Sequence, residues 1–184
     1  MRAYLTFIDE TGLLMAPLVR RSWHPRGNTP VLIQRTRSHQ KVSLIAALCI
    51  APSRDRVTLY FRLHAQRNIN AELVVAFLSQ LRRQLDAPVI IVWDRLRAHQ
   101  GKRVSAYVAR HRELNTVSLP AYAPELNPVE YFNAYLKMNP FANLPLFELD
   151  ALTTTARRHS RSLQHHQELL RSFIKHSPLS LRLK

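Results

Sequence analysis

Three of the 12 acidic residues stand where a folded sheet would present a reactive site. Asp9 closes one apolar run, Asp94 closes the run from Val89 to Trp93, and Glu130 falls in the first turn of a helix that would begin at Pro128. Sheets flanked by helices present sites at strand ends and helix starts. If the two strands are neighbours, the carboxylates crowd together and repel one another unless cations neutralise them. Mg²⁺ prefers carboxylate and phosphate oxygens, and two such ions about 3.5–4 Å apart can cleave a phosphodiester, so the pattern indicates a two-metal site.

Each of these carboxylates also has an ordinary structural explanation, which the residues alone leave open. Asp9 precedes Thr11-Gly12, a pair typical of turns, where Asp is common. Asp94 could cap the segment that follows it. Glu130 is the third residue after Asn127, so its side chain could return to the backbone N–H of that residue in a capping box. Their joint occurrence at the ends of predicted elements is what favours catalysis.

The charge of the chain indicates an anionic partner. The 184 residues include 27 Lys and Arg, for a formal charge of +15, and nucleic acid is the leading candidate because cationic side chains neutralise phosphates. Twenty-two of these cations are Arg, which suits phosphate recognition, although genomic base composition could produce the same bias. The single Cys49 excludes a disulfide scaffold, and no apolar run approaches the roughly 18 residues that span a bilayer. We therefore expect a cytoplasmic, nucleoid-associated protein.

Hydrophobic periodicity predicts a single domain over residues 1–184 with a sheet at its centre. Alternating or continuous apolar patterns predict strands at 2–9, 13–19 after a turn at 11–12, 31–35, 41–50, 57–64, 89–93 and 116–119. Helical spacing predicts helices from Asn70, its N-cap, to Pro88, and at 102–112, 128–138, 146–159 and 162–175. Strands first, then alternating helices and strands, then helices alone are the order of an α+β or mixed α/β fold.

Four motifs in the right order resemble a known family. The segment Pro120-Ala-Tyr-Ala-Pro-Glu-Leu-Asn-Pro-Val-Glu130 is similar to the string Pro-Pro-Tyr-Ser-Pro-Glu-Leu-Asn-Pro-Ile-Glu of insertion-sequence DDE transposases related to the mariner group. Phe7-Ile8-Asp9-Glu10 resembles the family's first-aspartate strand, and Trp23-His-Pro-Arg-Gly27 its tryptophan-to-glycine turn. Ile91-Val92-Trp93-Asp94, with His99 five positions on, resembles its second-aspartate motif, and 35 residues separate Asp94 from Glu130, about the family's spacing.

The resemblance implies an RNase H-like fold: a central mixed five-stranded sheet flanked by helices, with extra C-terminal helices. It implies that Asp9, Asp94 and Glu130 bind two Mg²⁺ ions when DNA is bound, with Mn²⁺ as a substitute. It also implies hydrolysis of a phosphodiester at the ends of a bacterial insertion sequence, followed by transfer of the freed 3′-hydroxyl into target DNA. Two alternatives remain open: an inactive, truncated remnant that only binds DNA, and a stand-alone RNase H-like nuclease.

Several positions depart from the family pattern. Arg95 replaces an Asn after the second aspartate, where it could bind phosphate or pair with Asp94 and weaken metal binding. Asn133 replaces a Trp three residues after the glutamate, and Ala121 and Ala123 replace Pro and Ser. The helix-turn-helix domain that reads element ends in the family is not found before the first-aspartate strand, so we expect a separate polypeptide to supply it, or a truncated copy.

We expect double-stranded DNA, both element ends and target, as the partner of a homodimer, because two ends must be brought together. His99 could orient substrate near Asp94 or cap a loop, and Trp23 could stack on a base or pack in the fold. The basic terminal helices could grip the backbone or be a solvated face. The candidate DNA contacts are Arg20, Arg21, Trp23, Arg26, Arg95, Arg97, His99, Lys102, Arg103, Lys137, Arg157, Arg158 and Arg161.

Overall fold

A twisted sheet with helices on both faces forms the body of the protein. The computed structural model describes residues 3–16, 18–33, 40–96, 98–99 and 101–184. Within these residues the strands are β1 (Tyr4–Leu14), β2 (Lys41–Ile50), β3 (Val57–Ala65), β4 (Val89–Trp93) and β5 (Leu114–Ser118). The helices are α1 (Ala71–Gln84), α2 (Lys102–Ala109), α3 (Pro128–Met138), α4 (Leu149–Leu163) and α5 (Gln167–His176). A short 3-10 turn, Pro124–Leu126, precedes α3.

The order of strands across the sheet is β3-β2-β1-β4-β5. β1 pairs antiparallel with β2 and parallel with β4, and β4 pairs parallel with β5. The predicted mixed, five-stranded sheet flanked by helices, with further helices at the C-terminus, is therefore confirmed for the described residues.

Two apolar clusters hold the layers together, one on each face of the sheet. On one face Phe7 packs in a cluster with the side chains of α3, α4 and α5, including Phe132. On the other face Ile8 packs with the side chains of α1 and α2, including Phe77. Because β1 is covered on both sides, its neighbouring residues can both be apolar, which explains the continuous apolar run at its start. The same alternation sends Asp9 towards α3 and Glu10 towards the opposite face.

The first strand is longer than the sequence predicts, and the turn at Thr11-Gly12 does not form. β1 pairs with β2 without interruption from Leu5 opposite Ile50 to Leu14 opposite Lys41. A neighbouring strand that satisfies every backbone group outweighs the local turn preference of Gly, which a strand tolerates. The predicted strand at 13–19 is therefore wrong. Its first two residues continue β1, and its other described residues, 15, 16, 18 and 19, form neither strand nor helix.

Other boundaries also differ from the predictions. The predicted strand at 31–35 is irregular over 31–33, and 34–35 lie outside the described residues, as does Arg2. The last two helices begin three and five residues later than predicted. α4 continues through Ser160 to the buried Leu163, which delays the start of α5. The predictions for β2, β3, β4 and α3 are confirmed within a residue. α1 begins as predicted after Asn70, the N-cap whose side chain accepts the Leu73 N–H at 3.0 Å, but it ends at Gln84, before the predicted stop at Pro88. In the described part of the chain no helix is long and apolar enough to cross a membrane.

Candidate active site

Parallel pairing brings the two aspartates to the same place on the sheet. The ladder between β1 and β4 ends where Phe7 lies opposite Val92. Asp9 and Asp94 each follow that pair by two residues, so both side chains leave the sheet on the face that carries α3. Asp9 is not at the end of its strand, since β1 continues and Asp9 pairs with Ala46 of β2. Asp9 lies two residues beyond the last pair between β1 and β4. Because it is inside a strand, the turn role that the sequence left open for Asp9 is wrong.

Asn127 fastens the start of α3 to β1 beside these residues. Its side-chain oxygen accepts the Val129 N–H at 3.2 Å, which caps the helix, and its amide donates to the Ile8 carbonyl at 3.0 Å. Its own backbone N–H donates to the Pro124 carbonyl at 2.9 Å. The capping box would need that N–H for Glu130, so the capping role left open for Glu130 is not realised. Its carboxylate instead lines the cleft beside the aspartates.

One cleft therefore contains all three predicted carboxylates. Asp9, Asp94 and Glu130 line it together with Arg95 and the loop of residues 120–124. Tyr122 in that loop has a positive φ of 58° and a fully exposed side chain. A large aromatic residue in a left-handed conformation is an uncommon choice for a loop that only connects β5 to α3.

Asp9 is the buried member of the set. It is 7% exposed, and the Asn133 amide of α3 donates to its Oδ2 at 2.6 Å. Burial, followed by the negative charges of Glu130, Glu10 and Asp94, raises the pKa of Asp9 to about 8. Among the described residues no cation is paired with this carboxyl group, so its ionised form is costly.

Asp94 has the opposite electrostatic environment. Its side chain is 43% exposed, and its Oδ1 lies 2.9 Å from His99 Nδ1 and accepts the Leu96 N–H at 3.0 Å. The hydrogen bond from His99 lowers the pKa of Asp94. For His99, burial opposes the charged form, but the hydrogen bonds to Asp94 and Glu10 outweigh it and raise the pKa of the imidazole to about 10. Among the described ion pairs Asp94 is matched with His99 and not with Arg95.

The donor chemistry of the cleft suits a hard divalent cation. Three carboxylates are the ligands that Mg²⁺ and Mn²⁺ prefer, and the raised pKa of Asp9 shows that its ionised form lacks a compensating cation among the described residues. Among the described residues no three Asp, Glu, His or Cys side chains stand close enough to form a ready-made metal site. The residues therefore fit such a cation by type and charge, and the carboxylate rotamers would have to converge on it.

The predicted DNA contacts fall into two groups. Most are exposed cations or the fully exposed Trp23, and Lys137 is partly buried on α3. His99 differs from the rest because it is 4% exposed and lies between Asp94 and Glu10, so it faces the aspartate and not the solvent. Arg97 lies outside the described residues. Exposed members of the set are Arg20, Arg21, Trp23, Arg26, Arg95, Lys102, Arg103, Arg157, Arg158 and Arg161.

Sequence reasoning missed two residues that contact the aspartates or their partner. Asn133 was noted only as a departure from a family pattern, yet it is 1% exposed and bonds Asp9. A buried polar residue on an apolar helix face was the signal that could have found it. Glu10 contacts His99 Nε2 at 2.8 Å, and no pattern in the sequence pairs two residues 89 positions apart.

Comparison with solved structures gives the fold a precedent. The Mos1 mariner paired end complex with Mn matches at a TM-score of 0.62 and 16% identity, over 97% of this chain and 56% of that chain. The corresponding complex with Mg matches at 0.66 and 16%, over 94% and 52%. The catalytic domain of Mos1 mariner transposase matches at 0.53 and 12%, over 97% and 84%. At these identities the similarity establishes the fold, which is RNase H-like as predicted.

This chain spans about half the length of the first two transposase chains. A search of the curated proteins gave no significant match. A family model described as DDE superfamily endonuclease matches residues 4–153, from the first strand to the helix after α3. That match contains both aspartates and the glutamate in one run, and it covers most of the chain; the chain belongs to the DDE superfamily endonuclease family.

Proposed function

We propose that this chain is the catalytic domain of a DNA transposase from a bacterial insertion sequence. In this proposal it hydrolyses a phosphodiester at each element end, and the freed 3′-hydroxyl then attacks target DNA at the same site. The observation that carries the proposal is that three carboxylate residues, from β1, the end of β4 and the first turn of α3, line one cleft. A buried carboxyl group beside other carboxylates, with no cation paired to it among the described residues, is an arrangement that serves metal binding better than stability.

Asp9, Asp94 and Glu130 would hold two Mg²⁺ ions, or Mn²⁺ in their place. The ions would activate the attacking oxygen and stabilise the leaving one. The chain itself supplies placement: the β1–β4 ladder sets the two aspartates side by side, and Asn127 locks the helix that carries Glu130 to the backbone of Ile8. The hydrogen bond from the Asn133 amide to Asp9 Oδ2 would keep the buried carboxylate in one orientation when it loses its proton.

The positive surface would grip the DNA backbone. A formal charge of +15 on 184 residues supplies attraction that does not depend on base sequence. Arg95 lines the cleft itself, next to Asp94, where a guanidinium could hold the phosphate beside the scissile one. The exposed cations of α4 and of residues 20–26 would extend that grip along the duplex.

Recognition of element ends and pairing of two ends belong to the same proposal. A helix-turn-helix unit, on a separate polypeptide or elsewhere in a longer protein, would select the ends. A homodimer would bring two ends together. These expectations extend the catalytic proposal, and the catalytic proposal would still stand if either of them failed.

Nicking of supercoiled plasmid tests the catalytic proposal directly. The wild type should nick the plasmid in Mg²⁺ or Mn²⁺ and not in EDTA, and Asp94→Ala should spare it. Glu168→Gln is the matched control: this exposed carboxylate lies in the first turn of α5, does not line the cleft, and should leave nicking as in the wild type.

Two outcomes would replace the proposal. Binding of plasmid without nicking under every metal condition would favour a remnant that only binds DNA. Cleavage of an RNA–DNA hybrid in preference to duplex DNA would favour an RNase H-like nuclease.

A further inference from the structure

His99 is a buried side chain held between two carboxylates from different elements. Its Nε2 lies 2.8 Å from Glu10 Oε1, and its Nδ1 lies 2.9 Å from Asp94 Oδ1 and 3.2 Å from the Asp94 carbonyl oxygen. The ring also stacks on Trp93, with 4.5 Å between ring centroids and 4° between planes. Contacts on both ring nitrogens and on one ring face leave the imidazole one orientation.

This arrangement treats the two oxygens of Asp94 differently. Oδ1 accepts from the Leu96 N–H at 3.0 Å and faces His99 Nδ1, so two donors engage the same oxygen. Over the residues that the structure describes, no donor reaches Oδ2. Two hydrogen bonds to one oxygen fix the plane of the carboxylate and leave the other oxygen for a partner from outside the protein.

Glu10 does not share the cleft with the other acids. It follows Asp9 on β1, so its side chain leaves the opposite face of the strand, and the carboxylate is only 10% exposed. Its contact with His99 passes around the end of β4, where the chain turns after Asp94. Burying a carboxylate is costly unless a donor compensates it, and His99 is that donor. The buried carboxylate of Glu10 therefore fixes the imidazole ring that contacts Asp94.

We infer that Glu10 and His99 form a positioning pair that holds Asp94 Oδ1 against the protein, so that Asp94 binds the catalytic cation through Oδ2 alone. Neither member of the pair touches DNA or cation. Glu10 sets the rotation of the ring, and the ring sets the carboxylate. The inference rests on the proposed function, because it concerns how one proposed ligand of that site is presented.

The test is the affinity for Mn²⁺ in the absence of DNA, measured by the loss of the free-ion EPR signal. Glu10→Ala removes the contact on Nε2, so His99 should hold Asp94 Oδ1 less firmly and Mn²⁺ affinity should fall about 10-fold, the lower end of the effect of losing a partner outside a metal ligand. Glu10→Gln keeps an oxygen acceptor at the same reach and should recover most of that loss. DNA affinity in EDTA should be the same for all three proteins, and circular dichroism would confirm that each is folded.

Equal Mn²⁺ affinity in folded Glu10→Ala and wild type would overturn the inference. A crystal structure of the wild type with Mn²⁺ gives a second decision: a single Asp94 oxygen on the ion, the one that does not contact His99, supports the pair, and bidentate binding contradicts it. If the wild type binds Mn²⁺ and nicks DNA while Glu10→Ala does both equally well, only this inference fails. A wild type that binds no Mn²⁺ and never nicks overturns the proposed function and the pair together.

Discussion

The two aspartates of the cleft are the same residue type in two contrasting environments. Asp9 is buried, accepts one hydrogen bond from Asn133 and has its pKa raised to about 8 by burial and by neighbouring negative charge. Asp94 is half-exposed, faces His99 and has its pKa lowered. Without a cation, then, Asp9 holds its proton near neutral pH and Asp94 does not. The cleft therefore combines a carboxyl group, Asp9, that needs a metal ion in order to ionise near neutral pH with one, Asp94, that is already ionised.

The largest expected effect is one in which the two aspartates behave alike. Asp9→Asn and Asp94→Asn should each lower the rate of plasmid nicking by about 10³-fold or more, which corresponds to roughly 4 kcal/mol of activation free energy. Both would be metal ligands in the assembled site, so their different charge states before binding should not matter. Nicking rates in Mg²⁺ provide the measurement, and a variant that keeps a tenth of the activity would remove its aspartate from the proposed ligand set.

The next largest effect is on the pH dependence of the free energy of unfolding, to which Asp9 should contribute through its raised pKa. Folded Asp9 keeps its proton to about pH 8, whereas the unfolded chain releases it near 3.8, so the folded state binds more protons between these values. The free energy of unfolding should therefore fall as pH rises from about 4 to 8, by a few kcal/mol at about 1.4 kcal/mol per pKa unit. Urea unfolding of wild type and Asp9→Asn in EDTA at pH 5 and pH 8 measures this.

The Asp9→Asn curve should fall less over that range, because it lacks the titrating group. His99 also loses stabilisation as pH rises, from about 6.5 towards 10, but it does so in both proteins and cancels in the comparison. Parallel curves for the two proteins would contradict the assignment of a raised pKa to Asp9.

A smaller effect concerns the hydrogen bond that supports Asp9. Asn133→Ala removes the amide that donates to Asp9 Oδ2 at 2.6 Å and should lower the free energy of unfolding by about 1–3 kcal/mol, because a buried polar group loses its partner. Asn139→Ala, at the C-cap of the same helix, is the control. The amide of Asn139 is exposed and donates to the Tyr135 carbonyl at 3.0 Å, and its loss should change stability by less than about 0.5 kcal/mol. Equal losses in the two variants would mean that Asn133 does not support Asp9.

The smallest effect is expected on the Asp94 side. Asp94→Asn weakens the ion pair with His99, yet the side chain is 43% exposed and water screens the pair, so the loss of stability in EDTA at pH 7 should be about 1 kcal/mol or less. Asp9→Asn should have the opposite sign at pH 8, since it removes a carboxylate that is costly to ionise. Thermal or urea unfolding of the two variants side by side would show whether the signs differ as expected.

Local patterns in the sequence were sufficient for much of the fold. The apolar runs of β2, β3 and β4 and the capped helices α1 and α3 carry their own signals, an alternation or a helical period with Asn70 or Asn127 at the start. The first strand was predicted too short because its continuation through Thr11 and Gly12 depends on β2, which lies about 30 residues further on. A turn preference of one dipeptide cannot be weighed against a backbone ladder that the local sequence does not contain.

The candidate site divides in the same way. Asp9, Asp94 and Glu130 could be selected by residue type and by their place at predicted strand and helix ends, and the motif resemblance joined them into one set. Asn133 and Glu10 could not be selected in this way, because their roles exist only through contacts across 124 and 89 positions of the chain. The catalytic roles of all these residues, and the single-domain boundary at 1–184, stay predictions.

Residue types show which side chains can do chemistry, and hydrophobic periodicity predicts which strand or helix carries each of them. Both are properties of neighbouring residues, so they can be found in the sequence alone. The tertiary structure decided that Asp9 is buried and Asp94 is not, that His99 faces inward, and that Glu130 is free of the helix cap. These are matters of distance and of exclusion of water. A carboxylate's pKa, and with it its need for a metal, depends on what the fold packs around it. For that reason two aspartates that look equivalent in the sequence differ in charge near neutral pH: Asp9 is protonated and Asp94 is ionised.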